Sequence, residues 1–260
     1  MRKIILSLMI LVLLASTIGA SYDNKSFEIP KSAKKISENA YDLGKVKVKG
    51  EELQGYLFVH KKDAAVRQSG SAKLTPCYGF LAKGARWKTT EPYVLDTSNA
   101  EGMNESFVAD NIQTGLNIWD SQVAFPIFGA RDTLNVVDGA DASSPDDKNE
   151  ILLGSIADSG TIAVTIVWGI FGGPTASRKL VEYDLVFDQA DFSWGNALSN
   201  PSLMDFQNIA VHELGHAAGM DDLYTSSCSE QTMYGYATEG ETKKRDLNSG
   251  DITGIKNLYR

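Results

Sequence analysis

The stretch HELGHAAGMDD, residues 212–222, contains two of the three histidines of this 260-residue chain, separated by four positions. On an α-helix, His212 and His216 lie one turn apart on the same face, with Cβ atoms about 5–6 Å apart. Two imidazoles placed in this way can bind one metal ion without a change of backbone. Glu213 lies beside the first histidine, where its carboxylate suits a general base better than a shared ligand.

A third metal ligand must come from outside the helix, because a helix cannot wrap around its own metal. Gly219 tolerates positive φ and can turn the chain sharply back. Asp222, three residues later, is then the nearest residue able to reach the ion, whereas Asp221 would need a tighter return. The alternative is an ordinary amphipathic helix with hydrogen-bonded histidines. With only three histidines in the chain, chance rarely produces this spacing, so we expect a metal site.

Strand and helix patterns alternate around this motif. Apolar residues at helical spacing after Asn104 predict a helix through Trp119, Asp205 caps a helix that stops at Gly219, and a last helix starts near Asn248. Segment 180–188 alternates apolar and acidic residues, so we expect one of its faces to be solvated. The order predicts one α+β domain. The other predicted strands are residues 92–95, 133–137, 151–153 and 162–168.

The first twenty residues are typical of a secretory signal peptide. A basic start precedes the apolar run from Ile4 to Leu14, and small residues end at Ala20. The run is short for a segment that spans the membrane, which is the alternative. We therefore expect a secreted protein with three parts: the signal peptide 1–20, a pro-segment or small N-terminal subdomain 21–75, and the main domain 76–260.

Charge is divided unevenly along the chain, whose net charge is −8. Residues 21–75 carry eleven Lys and Arg against seven Asp and Glu, whereas residues 76–260 carry twelve against twenty-six. So acidic a domain repels nucleic acid and anionic membranes, which makes both unexpected partners. The two cysteines, Cys77 and Cys228, favour one disulfide in an oxidising compartment.

With these features in view, HELGHAAGMDD resembles the HExxHxxGxxH/D signature of the metzincin zinc endopeptidases. Other segments in residues 76–260 resemble matrixin catalytic domains in the same order along the chain. They are the first strand (84–96), the backing helix (107–120), the edge strand (181–188, followed by Trp194 and Gly195), the Met-turn TMYGYA (232–237) and the closing helix (246–260).

This resemblance implies a function and a set of roles. The chain would be a zinc endopeptidase of metzincin fold, with a mainly parallel twisted sheet, an antiparallel edge strand, a backing helix, an active-site helix and a small C-terminal lobe. His212, His216 and Asp222 would bind one catalytic zinc ion, Glu213 would be the general base, and Met233 would lie beneath the metal. An extended peptide substrate would add a strand along residues 183–188, and we expect a monomer.

The chain departs from the matrixin pattern in its acidic ligand and in its loops. Matrixins usually have histidine at the position of Asp222, and the aspartate is similar to that of snapalysin-like metzincins. The stretch 136–165 contains no histidine, and His60 lies outside the domain, so we expect no second, structural zinc. The loop 138–150 offers four carboxylates that could bind calcium: Asp138, Asp141, Asp146 and Asp147. A solvated acidic loop is the common alternative.

Other interpretations remain open for the N-terminal part and for the function. Cys77 lies where matrixin pro-segments place a thiolate on the zinc, but we favour its disulfide with Cys228. Residues 21–75 either restrain activity until they are cut off or form a permanent subdomain. A surface or binding protein without catalytic turnover, and an Fe(II) oxygenase with two histidines and one carboxylate, are the alternative functions.

Overall fold

The computed structural model describes residues 25–62 and 76–260 of the chain. The predicted signal peptide and the boundary predicted near residue 75 lie outside these residues. Three α-helices are present in the described residues: α1 (Glu105–Asp120), α2 (Phe206–Ala217) and α3 (Ser249–Leu258). None of these helices combines the length and the apolar character that crossing a bilayer requires.

Strands make up most of the remaining regular structure, and many of them are only two residues long. In chain order the strands are β1 (Ser26–Phe27), β2 (Lys34–Lys35), β3 (Ala40–Val48), β4 (Glu51–Lys62), β5 (Gly79–Phe80), β6 (Glu91–Leu95), β7 (Phe128–Asp132), β8 (Asn149–Ile156), β9 (Thr161–Ile170), β10 (Lys179–Asp188), β11 (Trp194–Gly195), β12 (Met204–Asp205), β13 (Met220–Asp221) and β14 (Tyr236–Ala237).

Ten of these strands form one mixed sheet in the order β2-β3-β4-β9-β10-β8-β6-β7, with β1 beside β8 and β14 beside β4. Strands β10, β8, β6 and β7 are parallel to one another. Strand β9 is antiparallel to its neighbours β10 and β4. The predicted fold class is confirmed: an α+β fold with mostly parallel strands and few helices.

The helices begin where the sequence supplies a capping side chain. The carboxylate of Asp205 accepts a hydrogen bond from the Asn208 backbone N–H at 2.9 Å, at the start of α2. Asn104 caps α1 in the same way, and Asn248 begins α3 in a capping box. Helix α2 ends where Gly219 adopts a φ of +101°, a conformation that favours glycine. The predicted helix boundaries are thus confirmed.

Helix α2 lies in the centre of the main core, between the sheet and α1. The indole of Trp119 on α1 donates a hydrogen bond to the backbone oxygen of Val211 at 2.8 Å, so the two helices are joined by more than apolar contact. Gly115 permits their close approach, because a Cβ there would lie 2.7 Å from Leu214 Cδ1. On the other side of α2, the indole of Trp87 donates to Ala217 O at 2.8 Å.

The N-terminal residues belong to the same sheet as the rest of the chain. Strand β4 is hydrogen-bonded along β9, with His60 opposite Ala163 and Leu57 opposite Ile166. Leu57, Phe58 and Val59 are buried. Surface ion pairs such as Lys61 with Asp158 also join the two parts, but exposed pairs of this kind contribute little. The segment is therefore held mainly by strand pairing and apolar burial, rather than by its opposite charge.

Two predicted features of the sheet are wrong. No strand forms at residues 133–137; β7 precedes this segment, and the Asp132 carboxylate accepts from the Leu134 N–H in a turn. The acidic residues of β10 are not solvated, since Glu182, Asp184 and Asp188 are all buried. Their carboxylates accept hydrogen bonds from backbone N–H groups of neighbouring segments, which single-strand alternation cannot reveal.

Cys77 and Cys228 form a disulfide, and their Cα atoms are 5.3 Å apart. In the chain-entropy model, a bridge that closes a loop of this length stabilises the fold by about 4–5 kcal/mol. The bridge joins the start of the main domain to the segment after α2. Because both sulfurs are used in this bond, Cys77 is not a free thiolate that could bind a metal.

Candidate metal centre

Helix α2 holds the two candidate histidine ligands in fixed orientations, and both are buried. His212 Nδ1 is hydrogen-bonded to the backbone oxygen of Thr232 at 2.7 Å. His216 Nδ1 is hydrogen-bonded to the backbone oxygen of Met220 at 3.0 Å. A carbonyl oxygen accepts only, so Nδ1 carries the proton in both rings. The lone pair is then on Nε2, which is the arrangement that metal-binding histidines need.

The two free Nε2 atoms point to one carboxylate oxygen. Asp222 Oδ1 lies 3.3 Å from His212 Nε2 and 3.4 Å from His216 Nε2. His212 Nε2 and Asp222 Oδ1 are buried and have no hydrogen-bond partner. A buried polar atom without a hydrogen-bond partner destabilises the fold, so two such atoms at one point indicate that a ligand binds between them. These spacings fit a tetrahedral zinc ion, whose ligands at about 2.0–2.1 Å are separated by roughly 3.3 Å.

The neighbouring Asp221 does not join this group. Among the described residues, His212, His216 and Asp222 bring one ligand atom each within a common distance of 4.8 Å. The second oxygen of Asp222 accepts a hydrogen bond from the Tyr224 hydroxyl at 2.6 Å, which orients the carboxylate. The tight return after Gly219 thus directs Asp222 to the histidines.

The segment predicted as the Met-turn packs against the helix that holds the candidate ligands. Met233 is buried, and a Cβ added at Gly215 of α2 would lie 2.2 Å from its sulfur, so the turn packs directly against the helix. Asp251 of α3 accepts from the backbone N–H groups of Thr232 at 2.7 Å and Met233 at 3.2 Å. The backbone oxygen of Thr232 accepts the hydrogen bond from His212. Asp251 therefore connects α3 to a candidate ligand through Thr232.

Both carboxylate oxygens of Glu213 are occupied by side chains from the sheet. Oε2 accepts a hydrogen bond from the Thr165 hydroxyl on β9 at 2.6 Å. Oε1 lies 2.8 Å from His60 Nδ1 on β4. Burial raises the pKa of the Glu213 carboxyl to about 7, although the hydrogen bond from Thr165 acts in the opposite direction. A carboxylate with a pKa near neutrality suits a general base.

His60, from the segment expected to lie outside the main domain, contacts the candidate site directly. Its ring stacks near that of His212, with centroids 3.9 Å apart. Its neighbour in β4, Phe58, stacks on His216 with centroids 4.6 Å apart. Strand β4 therefore covers both histidines and the glutamate. Only the β4–β9 pairing brings His60 to this place, and no motif in the sequence indicates it.

The strand expected to bind the substrate is not at an edge. Strand β10, which contains residues 183–188, pairs with β8 on one side and with β9 on the other. The strand next to the metal centre is β9, and its outer edge is paired with β4. The end of β4 also lies parallel to β14, with Lys61 opposite Tyr236. Thus β4 lies between β9 and β3 along residues 51–58, and its last two residues lie between β9 and β14.

Lys244 is a further buried residue that sequence reasoning missed. Its Nζ donates hydrogen bonds to the backbone oxygens of Tyr234 at 2.6 Å and Tyr236 at 2.7 Å, and lies 3.2 Å from His60 Nε2. An ammonium group only donates, so His60 Nε2 accepts, and its Nδ1–H donates to Glu213. Burial, with the nearby His212 and Lys244, lowers the pKa of His60 well below its usual value.

A separate acidic group forms on the far part of β10. Asp141 and Asp146 from the predicted calcium loop lie with Glu182 so that one oxygen of each is within 4.8 Å of the others. Asp141 Oδ2 and Glu182 Oε1 are buried without a partner. Lys148 forms ion pairs with Asp146 at 2.6 Å and with Asp138 at 2.7 Å, and Lys49 pairs with Asp147 at 2.6 Å. Burial raises the pKa of Glu182 to about 8.

Comparison with known proteins supports a matrixin-like domain. Residues 169–260 match the family model described as Matrixin. Over 62 residues the chain is 40% identical to Metalloendoproteinase 2-MMP of Arabidopsis thaliana. That match covers 24% of this chain and 15% of the relative, so the chain corresponds to only a small part of that protein. The chain is therefore similar to matrixins over the segment that holds the candidate metal ligands, the candidate base and the Met-turn.

Proposed function

We propose that this chain is a secreted zinc-dependent endopeptidase, with His212, His216 and Asp222 as the ligands and Glu213 as the general base. One observation carries the proposal: three buried ligand atoms converge at tetrahedral spacing beside a glutamate whose pKa is near neutrality. The aspartate as third ligand is the snapalysin-like feature. Secretion and a monomeric state rest on the sequence and remain predictions.

A zinc ion in this site would supply Lewis-acid chemistry, activating water and polarising the scissile carbonyl. The residues of the chain do the rest. Once His60 has left, Glu213 accepts a proton from the attacking water at Oε1 and donates it to the leaving amine. Thr165 stays hydrogen-bonded to Oε2 and keeps the carboxylate in position.

The substrate would be an extended peptide bound as a strand along β9. Main-chain hydrogen bonds of this kind give affinity with little dependence on sequence. Strand β4 already uses this edge, with His60 opposite Ala163 and Phe58 opposite Thr165. It also keeps water from Glu213 by occupying Oε1. We therefore favour an inhibitory role for residues 21–75, which a substrate or a proteolytic cut must displace.

The activity is tested with casein or gelatin, with and without a chelator. We expect hydrolysis that the chelator abolishes and that added zinc restores. Restoration by Fe(II) in the presence of oxygen, but not by zinc, would support the oxygenase alternative. A protein that binds zinc stoichiometrically but hydrolyses no peptide after removal of residues 21–75 would be the binding protein without turnover.

The third ligand gives a prediction about zinc content. Asp222→Ala should lose most of the metal, with affinity lower by more than about 100-fold, because even partners of ligands cost 10- to 100-fold. Asp222→His should retain zinc and measurable activity, since either side chain donates one atom at about 2.0–2.2 Å. Zinc analysis after dialysis measures both. Full occupancy in the alanine variant would move the third ligand elsewhere, with Asp221 the first residue to test.

Calcium binding at the acidic group of β10 is a second cofactor proposal. Glu182 Oε1 and Asp141 Oδ2 lack partners, and carboxylate oxygens are the ligands that calcium prefers. Calcium at about 100 times its Kd would stabilise the fold by about 2.7 kcal/mol, or roughly 5–10 °C in Tm. Thermal unfolding with calcium and with EGTA measures the shift. Glu182→Gln should remove it, and a shift that survives this substitution places the ion elsewhere.

A further inference from the structure

Lys244 is fully buried beside Glu213, and the proposed mechanism does not use it. Its three hydrogen bonds match the three donors of an ammonium group. Two of the acceptors are main-chain oxygens, of Tyr234 and Tyr236, which belong to the main chain beside β4 and not to β4 itself. The third acceptor is the His60 ring, which belongs to the strand that a substrate must replace. Glu241 Oε1, 3.7 Å away, balances the charge.

Displacement of β4 leaves one donor of Lys244 without a partner. In an open cleft water can accept this hydrogen bond. When a peptide fills the cleft, its side chain excludes that water. A side chain without an acceptor would then bury an unsatisfied charged donor, which costs more than a neutral one. The substrate side chain next to Lys244 must therefore supply a hydrogen-bond acceptor. Main-chain pairing with β9 imposes no such requirement.

The position of His60 defines which substrate side chain faces Lys244. Strand β4 is antiparallel to β9 and parallel to β14, and a peptide bound in the same direction presents one side chain between Glu213 and Lys244. The space accommodates an imidazole, with an acceptor at its far end. Glutamine meets this description; histidine would occupy Glu213 Oε1 as His60 does, and glutamate would place a second carboxylate beside Glu213. Leucine has the size but no acceptor, and lysine would place a second cation beside Lys244.

We propose that Lys244 determines specificity: it favours substrates that carry a hydrogen-bond acceptor at the position of His60 over those with an aliphatic or cationic side chain there. The proposal rests on the proposed endopeptidase function, because it assumes that a peptide replaces β4 between β9 and β14. Lys244 acts as a specificity-determining residue and takes no part in bond cleavage.

The full-length chain allows the preference to be measured without catalysis, since β4 presents residue 60 to Lys244. Three substitutions are made at residue 60, once with Lys244 unchanged and once with Lys244→Met: His60→Gln, His60→Leu and His60→Lys. Unfolding of each protein by urea is measured. With Lys244, leucine should raise the unfolding equilibrium constant about 10- to 100-fold more than glutamine, and lysine at least as much. With Lys244→Met, this difference should vanish or reverse.

Lys244→Met also loses the hydrogen bonds to two main-chain oxygens. This loss is the same for every residue at position 60, so it cancels when those residues are compared. If that variant does not fold, Lys244→Gln serves instead, because an amide keeps two donors for the carbonyl oxygens and lacks the third. An equal difference between leucine and glutamine in both backgrounds would overturn the proposal.

Cleavage of a peptide mixture then tests substrates directly. The zinc-loaded full-length chain is used at a concentration that detects the roughly 0.1–10% of molecules in which β4 is displaced. Acceptor side chains should be enriched at one position near the cleaved bond, and Lys244→Met should lose this enrichment. The same profile in both proteins would refute the role of Lys244. No cleavage by this chain or by the form that begins at residue 76 would refute the endopeptidase function, and with it the claim about substrates, whatever the unfolding data show.

Discussion

Replacing Glu213 with alanine or glutamine is expected to abolish peptide hydrolysis while the protein keeps its zinc. The carboxylate is the group that takes a proton from water, and general acid–base catalysis contributes about 10²- to 10⁴-fold. Glu213 is not one of the three converging ligands, so metal binding should be unaffected. We expect hydrolysis to fall by at least 100-fold, measured with a quenched peptide, and zinc content to remain near one per chain.

The glutamine variant is the matched control for structure. It keeps the size of Glu213, its amide oxygen can still accept from His60 and its NH2 group can donate to the Thr165 hydroxyl, whereas alanine removes both contacts. Equal loss of activity in the two variants, with equal zinc, would assign the effect to the proton transfer. A variant that is empty of metal under conditions where the wild type is full would mean that Glu213 is a ligand.

Removal of residues 21–75 should increase hydrolysis about 10- to 1,000-fold. In the full-length chain, the competent state is the one in which β4 has left the cleft, and a minor state of this kind is typically 0.1–10% populated. A form that begins at residue 76 has the cleft open and retains Cys77 for the disulfide. The measurement compares initial rates on the same quenched peptide for forms beginning at residues 21 and 76.

Adding the 21–75 peptide back should suppress the excess activity, and a peptide with His60→Ala should inhibit more weakly because it no longer contacts Glu213. Strand pairing and apolar burial hold the segment, so the inhibition should change little with salt. A form beginning at residue 76 that is insoluble or no more active would contradict the inhibitory role. The segment would then be structural, since Leu57 and Val59 are buried against the outer face of the sheet.

Several properties of this chain follow from short stretches of sequence. The motif lies within one helix and the turn that follows it: two histidines four residues apart, the glutamate between them, and Gly219 before Asp222. Local geometry of this kind requires no knowledge of distant residues. The helix caps Asn104, Asp205 and Asn248 are local in the same sense, and the structure confirms them.

Only the tertiary structure decided what surrounds the metal centre. Thr165, His60, Lys244 and Asp251 are separated from α2 by up to about 150 residues, and they reach it through strand pairing and helix packing. The burial of Glu182 was misread from alternation, because periodicity does not reveal which loop will cover a face of the sheet. Strand order is likewise set by non-local hydrogen bonds, so the sequence alone could not show that β4 lies on β9 and covers Glu213.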